Sequence, residues 1–168
     1  MARSGPIRVQ GITGADPTGV NGTMSTKLVI GLDGHSSGER ALEFGSQLAK
    51  QLGSCELLVV YVIEWSPYSF QTAEENEQRH KRREEEISTA RERVVDPAIA
   101  SLSEAGLTAK AIVRHGDVAD TLNAIAKAEG ATQIVVARST DKSLSKRIFG
   151  SSTATLVMEA AVPVTVVS

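Results

Sequence analysis

The chain has 168 residues, of which 41% are hydrophobic, and its formal net charge at pH 7 is -2. This length predicts a single domain around one ordinary core, and the small net charge gives no reason to expect nucleic acid or an anionic membrane surface as a partner. The apolar runs are only as long as strands, so we expect a protein that does not span a membrane. The start of the chain lacks the pattern of a secretory signal, and the single cysteine, Cys55, excludes an internal disulfide. The sequence therefore predicts a cytoplasmic protein.

The N-terminal segment differs in composition from the rest of the chain. Residues 1–23 are rich in glycine and show almost no periodic apolar pattern. We expect this segment to be a flexible leader or a non-native tail, with the domain occupying residues 24–168.

From Lys27 onward, short β-rich runs alternate with helical patterns. Residues 28–32 predict a strand that is buried on both faces. Ser36 and Glu39 have the spacing of a capping box, which predicts that a helix begins there and ends at Gly53. The apolar face of that helix is predicted to consist of Ala41, Leu42, Gly45, Leu48, Ala49 and Leu52.

A second strand is predicted over residues 56–63, and a strongly charged helix follows it. Residues 74–93 contain seven Glu and six Lys or Arg, and the two signs nearly cancel, which indicates a solvated helix face rather than a binding tail. Apolar residues spaced for a buried stripe continue the helix to Gly106, and residues 96–97, Asp-Pro, predict a kink or restart. The predicted stripe is Ile87, Val94, Ala98 and Leu102.

The C-terminal third predicts three more strands. Residues 107–114 form the third strand, and Asp117 caps a helix that ends at Gly130. Residues 133–137 form the fourth strand, and a helix from about Ser151 precedes the fifth, over residues 162–167. Pro163 suits the start of an edge strand because it has no N–H to donate.

Five strands separated by helices predict one five-stranded, parallel, doubly wound α/β sheet of the Rossmann-like kind. In such sheets, ligands bind beyond the carboxyl ends of the strands, where the winding reverses. The sequence therefore predicts a crevice between Asp33, after the first strand, and residues 137–153, after the fourth.

The start of the last helix is a candidate anion site. Helix N-termini expose unpaired N–H groups and a partial positive charge, so Gly150, Ser151, Ser152 and Thr153 have the chemistry to hold a phosphate. A plain helix start with serine as the N-cap explains the same residues equally well.

The order of these elements resembles the universal stress protein family. The resemblance rests on the segment from Ile134 to Val167, on Asp33 within Ile-Gly-Leu-Asp-Gly, and on the run Arg-His-Gly-Asp at residues 114–117. It covers essentially all of residues 27–168. The resemblance implies the fold of the adenine nucleotide alpha hydrolases and ATP, or a related adenine nucleotide, as ligand, with or without Mg²⁺.

ATP-binding members of that family show Gly, two residues, Gly, nine residues and then Gly-Ser or Gly-Thr. The matching positions here are Ala137, Thr140, Gly150 and Ser151. The resemblance implies that Asp33 binds the ribose, that the backbone near Val62 meets the adenine edge, and that residues 150–153 take the phosphates. The full set of implied contact residues is Gly31, Asp33, Val62, Val136, Ala137, Arg138, Thr140, Lys146, Gly150, Ser151, Ser152 and Thr153.

Two glycines of the family pattern are replaced. Ala137 adds only a methyl group, whereas Thr140 is β-branched and unsuited to a positive φ, so we expect the loop to change path there. Cationic side chains of the same loop are available to replace lost N–H donors; a solvated basic loop is the alternative. These cations are Lys142, Lys146 and Arg147.

Signs of catalysis are few. The P-loop motif is missing and Asp33 is the only candidate acid at the crevice, so we expect slow ATP hydrolysis at most. His35 and His115 are interpreted as a helix-entry residue and a turn residue rather than as bases. Four aromatic residues follow or end the second strand, either as core and lid packing or for stacking on a base: Tyr61, Trp65, Tyr68 and Phe70.

Two functions remain open. The first is a nucleotide-binding stress or signalling module, for which the resemblance implies a homodimer paired through residues 162–167. The second is an interaction protein of the same fold that has abandoned nucleotide. An adenylate-forming enzyme is disfavoured because residues 33–38 contain none of its phosphate-loop motifs.

Overall fold

The computed structural model describes residues 26–64, 73–138 and 149–168. It contains a single five-stranded sheet in which every pair is parallel and the strand order is 3-2-1-4-5. The predicted fold class is therefore confirmed. The strands are β1 (Thr26–Leu32), β2 (Cys55–Glu64), β3 (Thr108–Gly116), β4 (Gln133–Ala137) and β5 (Val164–Val167).

Helices cover both faces of the sheet. They are α1 (Ser36–Leu52), α2 (Ala73–Ala90), α3 (Asp96–Glu104), α4 (Val118–Glu129) and α5 (Phe149–Glu159), and a π-helical turn, Arg91–Val95, joins α2 to α3. Ala41 of α1 and Leu102 of α3 share one core cluster, whereas Leu122 of α4 and Leu156 of α5 share the other. Among the described residues no helix is long and apolar enough to cross a membrane.

The central strands are buried on both faces. Val29 and Ile30 of β1 are wholly inaccessible to solvent, as the continuous apolar run predicted. Gly45 allows α1 to lie close against β1, because a Cβ at this position would overlap the Cδ1 atom of Ile30 and stand 3.0 Å from its Cγ1. The spacing between α1 and the sheet, and hence the position of the start of α1, depends on this glycine.

Some local predictions were wrong. The capping box at Ser36 and Glu39 does not form, since α1 begins at Ser36 and its N-cap position is His35, which makes no side-chain cap hydrogen bond. Leu52, predicted to face the core, is the last residue of α1 and is 47% exposed. Val94 packs half-buried against the core as predicted, but the fully buried position is Val95, which the sequence did not predict, since the wider π turn shifts that position by one residue.

Other helix boundaries follow the sequence signals. The predicted restart at residues 96–97 is confirmed, because α3 begins there with Pro97 in its first turn. Asp117 caps α4 by accepting a hydrogen bond from the backbone N–H of Asp120 at 3.0 Å, and Gly130 ends that helix in the left-handed conformation. Pro163 precedes β5, which is the edge strand that its missing N–H suggested.

Candidate functional site

The sheet reverses its winding between β1 and β4. These two strands are neighbours, with Leu28 paired to Gln133, yet the chain continues from β1 towards β2 and from β4 towards β5, on opposite sides. A cavity of about 270 Å³ opens at their carboxyl ends, lined by the ends of β1, β2 and β4 and by the starts of α1 and α4. A cavity therefore lies at the predicted switch point, and of the residues predicted to border it Asp33 and Ala137 lie in its wall.

A three-residue overhang of β2 forms one side of the cavity. The last residue of β1, Leu32, pairs with Tyr61, whereas β2 continues to Glu64. Val62, Ile63 and Glu64 all line the cavity. Over this length the edge of β2 that faced β1 is open to the cavity, so backbone N–H and C=O groups are available to a ligand.

Asp33 is held by the beginning of α1. One carboxylate oxygen accepts hydrogen bonds from the backbone N–H groups of His35 (2.9 Å) and Gly38 (3.0 Å), and the other accepts one from the hydroxyl of Ser37. Asp33 thus supplies the helix cap that His35 lacks, and the positive end of the helix dipole favours its charge. Since a carboxylate offers about four acceptor positions, one remains for a ligand hydroxyl.

Two glycines allow the start of α1 to approach the carboxylate of Asp33. A Cβ on Gly38 would stand 2.9 Å from the nearer carboxylate oxygen of Asp33, so only glycine lets the helix N–H approach it. Gly34 has a φ of +73° and lies under the ring of Tyr61, where a side chain would be both strained and crowded.

The predicted site residues are brought together only in part. Gly31, Asp33, Val62, Val136 and Ala137 all line the cavity. Gly31 is also a packing residue, because a Cβ there would lie 3.0 Å from Val136 and 3.1 Å from Leu122.

The remaining predicted contacts lie elsewhere or outside the described residues. Arg138 does not line this cavity: its N–H donates to the carbonyl of Val167 (2.7 Å) and its own carbonyl accepts from Arg40 (2.5 Å). Ser152 and Thr153 are half-buried in the first turns of α5 and do not line the cavity either. Gly150 and Ser151 belong to the first turn of α5, which begins two residues earlier than expected. Thr140, Lys142, Lys146 and Arg147 lie outside the described residues.

The cavity is acidic. Asp33 and Glu64 line it, and no lysine or arginine does so within the described parts of the chain. Burial, followed by the charges of Asp33 and Glu64, raises the pKa of Tyr61, so its hydroxyl stays protonated at neutral pH. This wall therefore suits an uncharged, hydroxyl-bearing group, and the cations for any phosphate must come from elsewhere in the chain.

The two histidines whose side chains the structure describes differ in their surroundings. His35 is exposed and lines the cavity. His115 instead faces Glu86 of α2, with 3.3 Å between its Nε2 atom and the carboxylate, and does not line the cavity. In the described ranges, no cluster of three His, Cys, Asp or Glu residues is placed to hold a metal ion.

Several lining residues were not predicted as site residues, among them the polar Glu64 and the glycine Gly38. Tyr61, grouped with three aromatics, does line the cavity, whereas Trp65, Tyr68 and Phe70 lie outside the described residues. The signal for Gly38 was its position five residues after Asp33, where a helix capped by that carboxylate brings its backbone N–H within reach.

A larger groove of about 610 Å³ runs between α1 and the π turn with α3. It meets the cavity at Leu32, His35 and Gly38 but otherwise follows helix surfaces. Because ligands of doubly wound sheets bind at the carboxyl ends of the strands, the smaller cavity is the candidate site.

Comparison with known proteins agrees with this architecture. The model of the universal stress protein family matches residues 24–168. A universal stress protein from Lactobacillus plantarum is 18% identical, with a TM-score of 0.70 over 86% of this chain and 98% of the other. No curated protein matches the sequence.

Two structural neighbours were solved with nucleotides. A universal stress protein family protein from Arabidopsis thaliana with AMP bound is 16% identical, with a TM-score of 0.58 over 84% of this chain and 90% of the other. A universal stress protein in complex with cAMP is 19% identical, with a TM-score of 0.59 over 85% of this chain and 96% of the other. At these identities the likeness concerns the fold.

Proposed function

The chain belongs to the universal stress protein family, and from that premise we propose that it is a regulatory stress-response module that binds ATP or a related adenine nucleotide without robust catalysis. One observation carries the proposal: a single cavity joins an open backbone edge, on β2, to a fixed carboxylate with a free acceptor position, on Asp33. The AMP and cAMP complexes of structural neighbours support it.

In this proposal the nucleoside occupies the cavity. Asp33 accepts a hydrogen bond from a ribose hydroxyl, and the backbone near Val62 meets the edge of the base. At about 270 Å³ the cavity lies just below the roughly 300 Å³ at which small-molecule sites begin, so it suits a nucleoside better than a whole triphosphate.

The phosphates are assigned to residues that follow β4. The backbone N–H groups of Gly150, Ser151, Ser152 and Thr153 lie in the first turns of α5, where the helix dipole favours anions. Arg138 and Lys146 supply the positive charge that the cavity wall lacks. Mg²⁺, where present, is held through phosphate oxygens and water, since the described residues offer no cluster of three His, Cys, Asp or Glu.

Catalysis is not part of the proposal beyond slow ATP hydrolysis. Phosphoryl transfer needs cations that neutralise the charge developing on the transferred group. The described cavity wall offers none, and Asp33 is already engaged by three donors. We place the protein in the cytoplasm, as its single cysteine suggests.

A nucleotide-independent interaction protein is the second candidate. The acidic character of the cavity favours it, since Asp33 and Glu64 repel phosphates that approach this wall. Ala137 and Thr140, which replace two glycines of the family pattern, favour it as well.

Calorimetric titration with ATP, with and without Mg²⁺, distinguishes the two candidates. We expect binding by the unaltered chain, an affinity at least about tenfold weaker in Gly150→Val, because its side chain blocks approach to the helix start, and a higher affinity in Thr140→Gly. If millimolar ATP produces neither heat nor a thermal shift, the result favours the nucleotide-independent interaction protein. Unchanged binding in both variants would place the phosphates in another pocket.

We further propose that the protein is a homodimer paired through residues 162–167. β5 is an edge strand, and Val166 on it is 40% exposed. Val157 and Met158 are exposed on α5, the helix that contacts β5. An exposed apolar edge strand readily pairs with a second copy across a two-fold axis.

Val166→Lys is expected to give a monomer, because a charged side chain on an edge strand opposes pairing with another edge. Light scattering across micromolar concentrations measures the mass. Thr108→Lys, on the opposite edge strand β3, is the matched control and should remain a dimer. A monomeric unaltered chain would contradict the proposed dimer.

A further inference from the structure

The cavity combines an apolar wall with an acidic rim. The wall is formed by buried or half-buried side chains of β2, α4 and β4, namely Val60, Val62, Val118, Leu122 and Val136. A flat heterocyclic base has apolar faces that pack against such a wall, and polar edges that must find hydrogen-bond partners. The polar partners next to this wall are the open backbone edge of β2 and the side chain of Glu64.

Glu64 is placed to meet the edge of a base. It is the last residue of β2, and because side chains two residues apart lie on the same face of a strand, it shares its face with Val60 and Val62 of the apolar wall. Among the described residues, no hydrogen bond or ion pair engages its carboxylate. Its charge contributes to raising the pKa of Tyr61, in keeping with its position beside the cavity.

The chemistry of a carboxylate restricts what it can recognise. An ionised Glu64 only accepts hydrogen bonds, so it favours a ligand edge that carries an N–H donor and disfavours one that presents a lone pair. We propose that Glu64 is a specificity-determining residue that selects bases with an exocyclic amino group, such as the 6-amino group of adenine. This inference rests on the nucleotide site proposed above.

The test compares two ligands that differ only in that group. ATP carries the 6-amino group, and purine riboside 5′-triphosphate has hydrogen in its place. We expect the unaltered chain to prefer ATP, and Glu64→Ala to reduce this preference about threefold to tenfold, because the loss of one partly solvated, charge-assisted hydrogen bond has effects of this order. Glu64→Gln, which keeps a neutral acceptor, should lie between the two.

Controls and outcomes separate the inference from the proposed function. Glu104→Ala removes an exposed carboxylate at the end of α3 that does not line the cavity, and should leave the preference unchanged. Thermal unfolding of each variant verifies that it is folded, as expected for exposed positions. If ATP binds but its preference over purine riboside triphosphate is the same in Glu64→Ala, the inference is overturned and the proposed function stands. If the unaltered chain binds neither ligand, the proposed function and the inference about Glu64 are both contradicted.

Discussion

Replacing Asp33 with alanine is expected both to destabilise the protein and to weaken nucleotide binding. The change removes the acceptor for the N–H groups of His35 and Gly38 and for the hydroxyl of Ser37. Loss of a helix cap typically costs about 1–2 kcal/mol. Loss of the charge-assisted bond to a ribose hydroxyl should lower the affinity by roughly tenfold to a hundredfold. Chemical denaturation and titration calorimetry measure the two effects.

Two further variants separate the capping role of Asp33 from its binding role. Ser37→Ala removes one donor but keeps both backbone bonds, so we expect a loss of less than about 1 kcal/mol in stability and an unchanged affinity. Asp33→Asn retains one carbonyl oxygen for the two N–H groups and should lose affinity more than stability. An Asp33→Ala variant that is destabilised yet binds ATP as tightly as the unaltered chain would show that the ribose is bound elsewhere.

The fold was predictable because buried parallel strands have a plain signature. Each must be apolar on both faces, so β1 and β4 read as continuous apolar runs, and residues 133–137 were predicted with the bounds that the structure shows. Because helices connect these parallel strands by right-handed crossovers, only a few sheet topologies are possible. The switch point followed from that topology, which is why Asp33 and Ala137 were expected at one crevice and both line it.

Short sequence patterns predicted the helix cap and the buried helix positions less reliably, because contacts from outside the pattern or an unusual helical turn competed with them. Ser36 and Glu39 have capping-box spacing, but Asp33 is closer to the free N–H groups once the chain turns through Gly34, so its carboxylate takes the cap. The π turn similarly moved the buried position to Val95, because a 3.6-residue period does not foresee a wider turn.

Glu64 could not be predicted at the site because its position depends on how far β2 extends past β1. Glu64 lines the cavity only because β2 outlasts β1 by three residues, and the relative length of two strands is set by their pairing rather than by either sequence alone. Arg138 illustrates the converse: its sequence position did not reveal that its backbone N–H and C=O are engaged by Val167 and Arg40, so only its side chain remains for a ligand.

Gly45→Ala is expected to destabilise the protein by up to about 2 kcal/mol, although alanine favours a helix over glycine by about 1 kcal/mol. The added methyl group overlaps the Cδ1 atom of Ile30, and overpacking a core typically costs about 1–3 kcal/mol, occasionally more. Ile30 is wholly buried between α1 and the sheet, so it has no free space into which to turn. The start of α1 should shift with the helix, so we also expect weaker nucleotide binding through Gly38 and Asp33.

The double variant Gly45→Ala with Ile30→Val shows whether this single contact is responsible. Valine lacks the Cδ1 atom, and Ile30→Val alone should cost about 0.5–1.5 kcal/mol. If the overlap is the cause, the double variant will be more stable than the sum of the two single changes predicts, by more than about 1 kcal/mol in urea denaturation. Strict additivity would mean that α1 moves away from the sheet without strain. In that case the spacing between α1 and β1, and the position of the Asp33 cap that depends on it, would not be set by the absence of a side chain at Gly45.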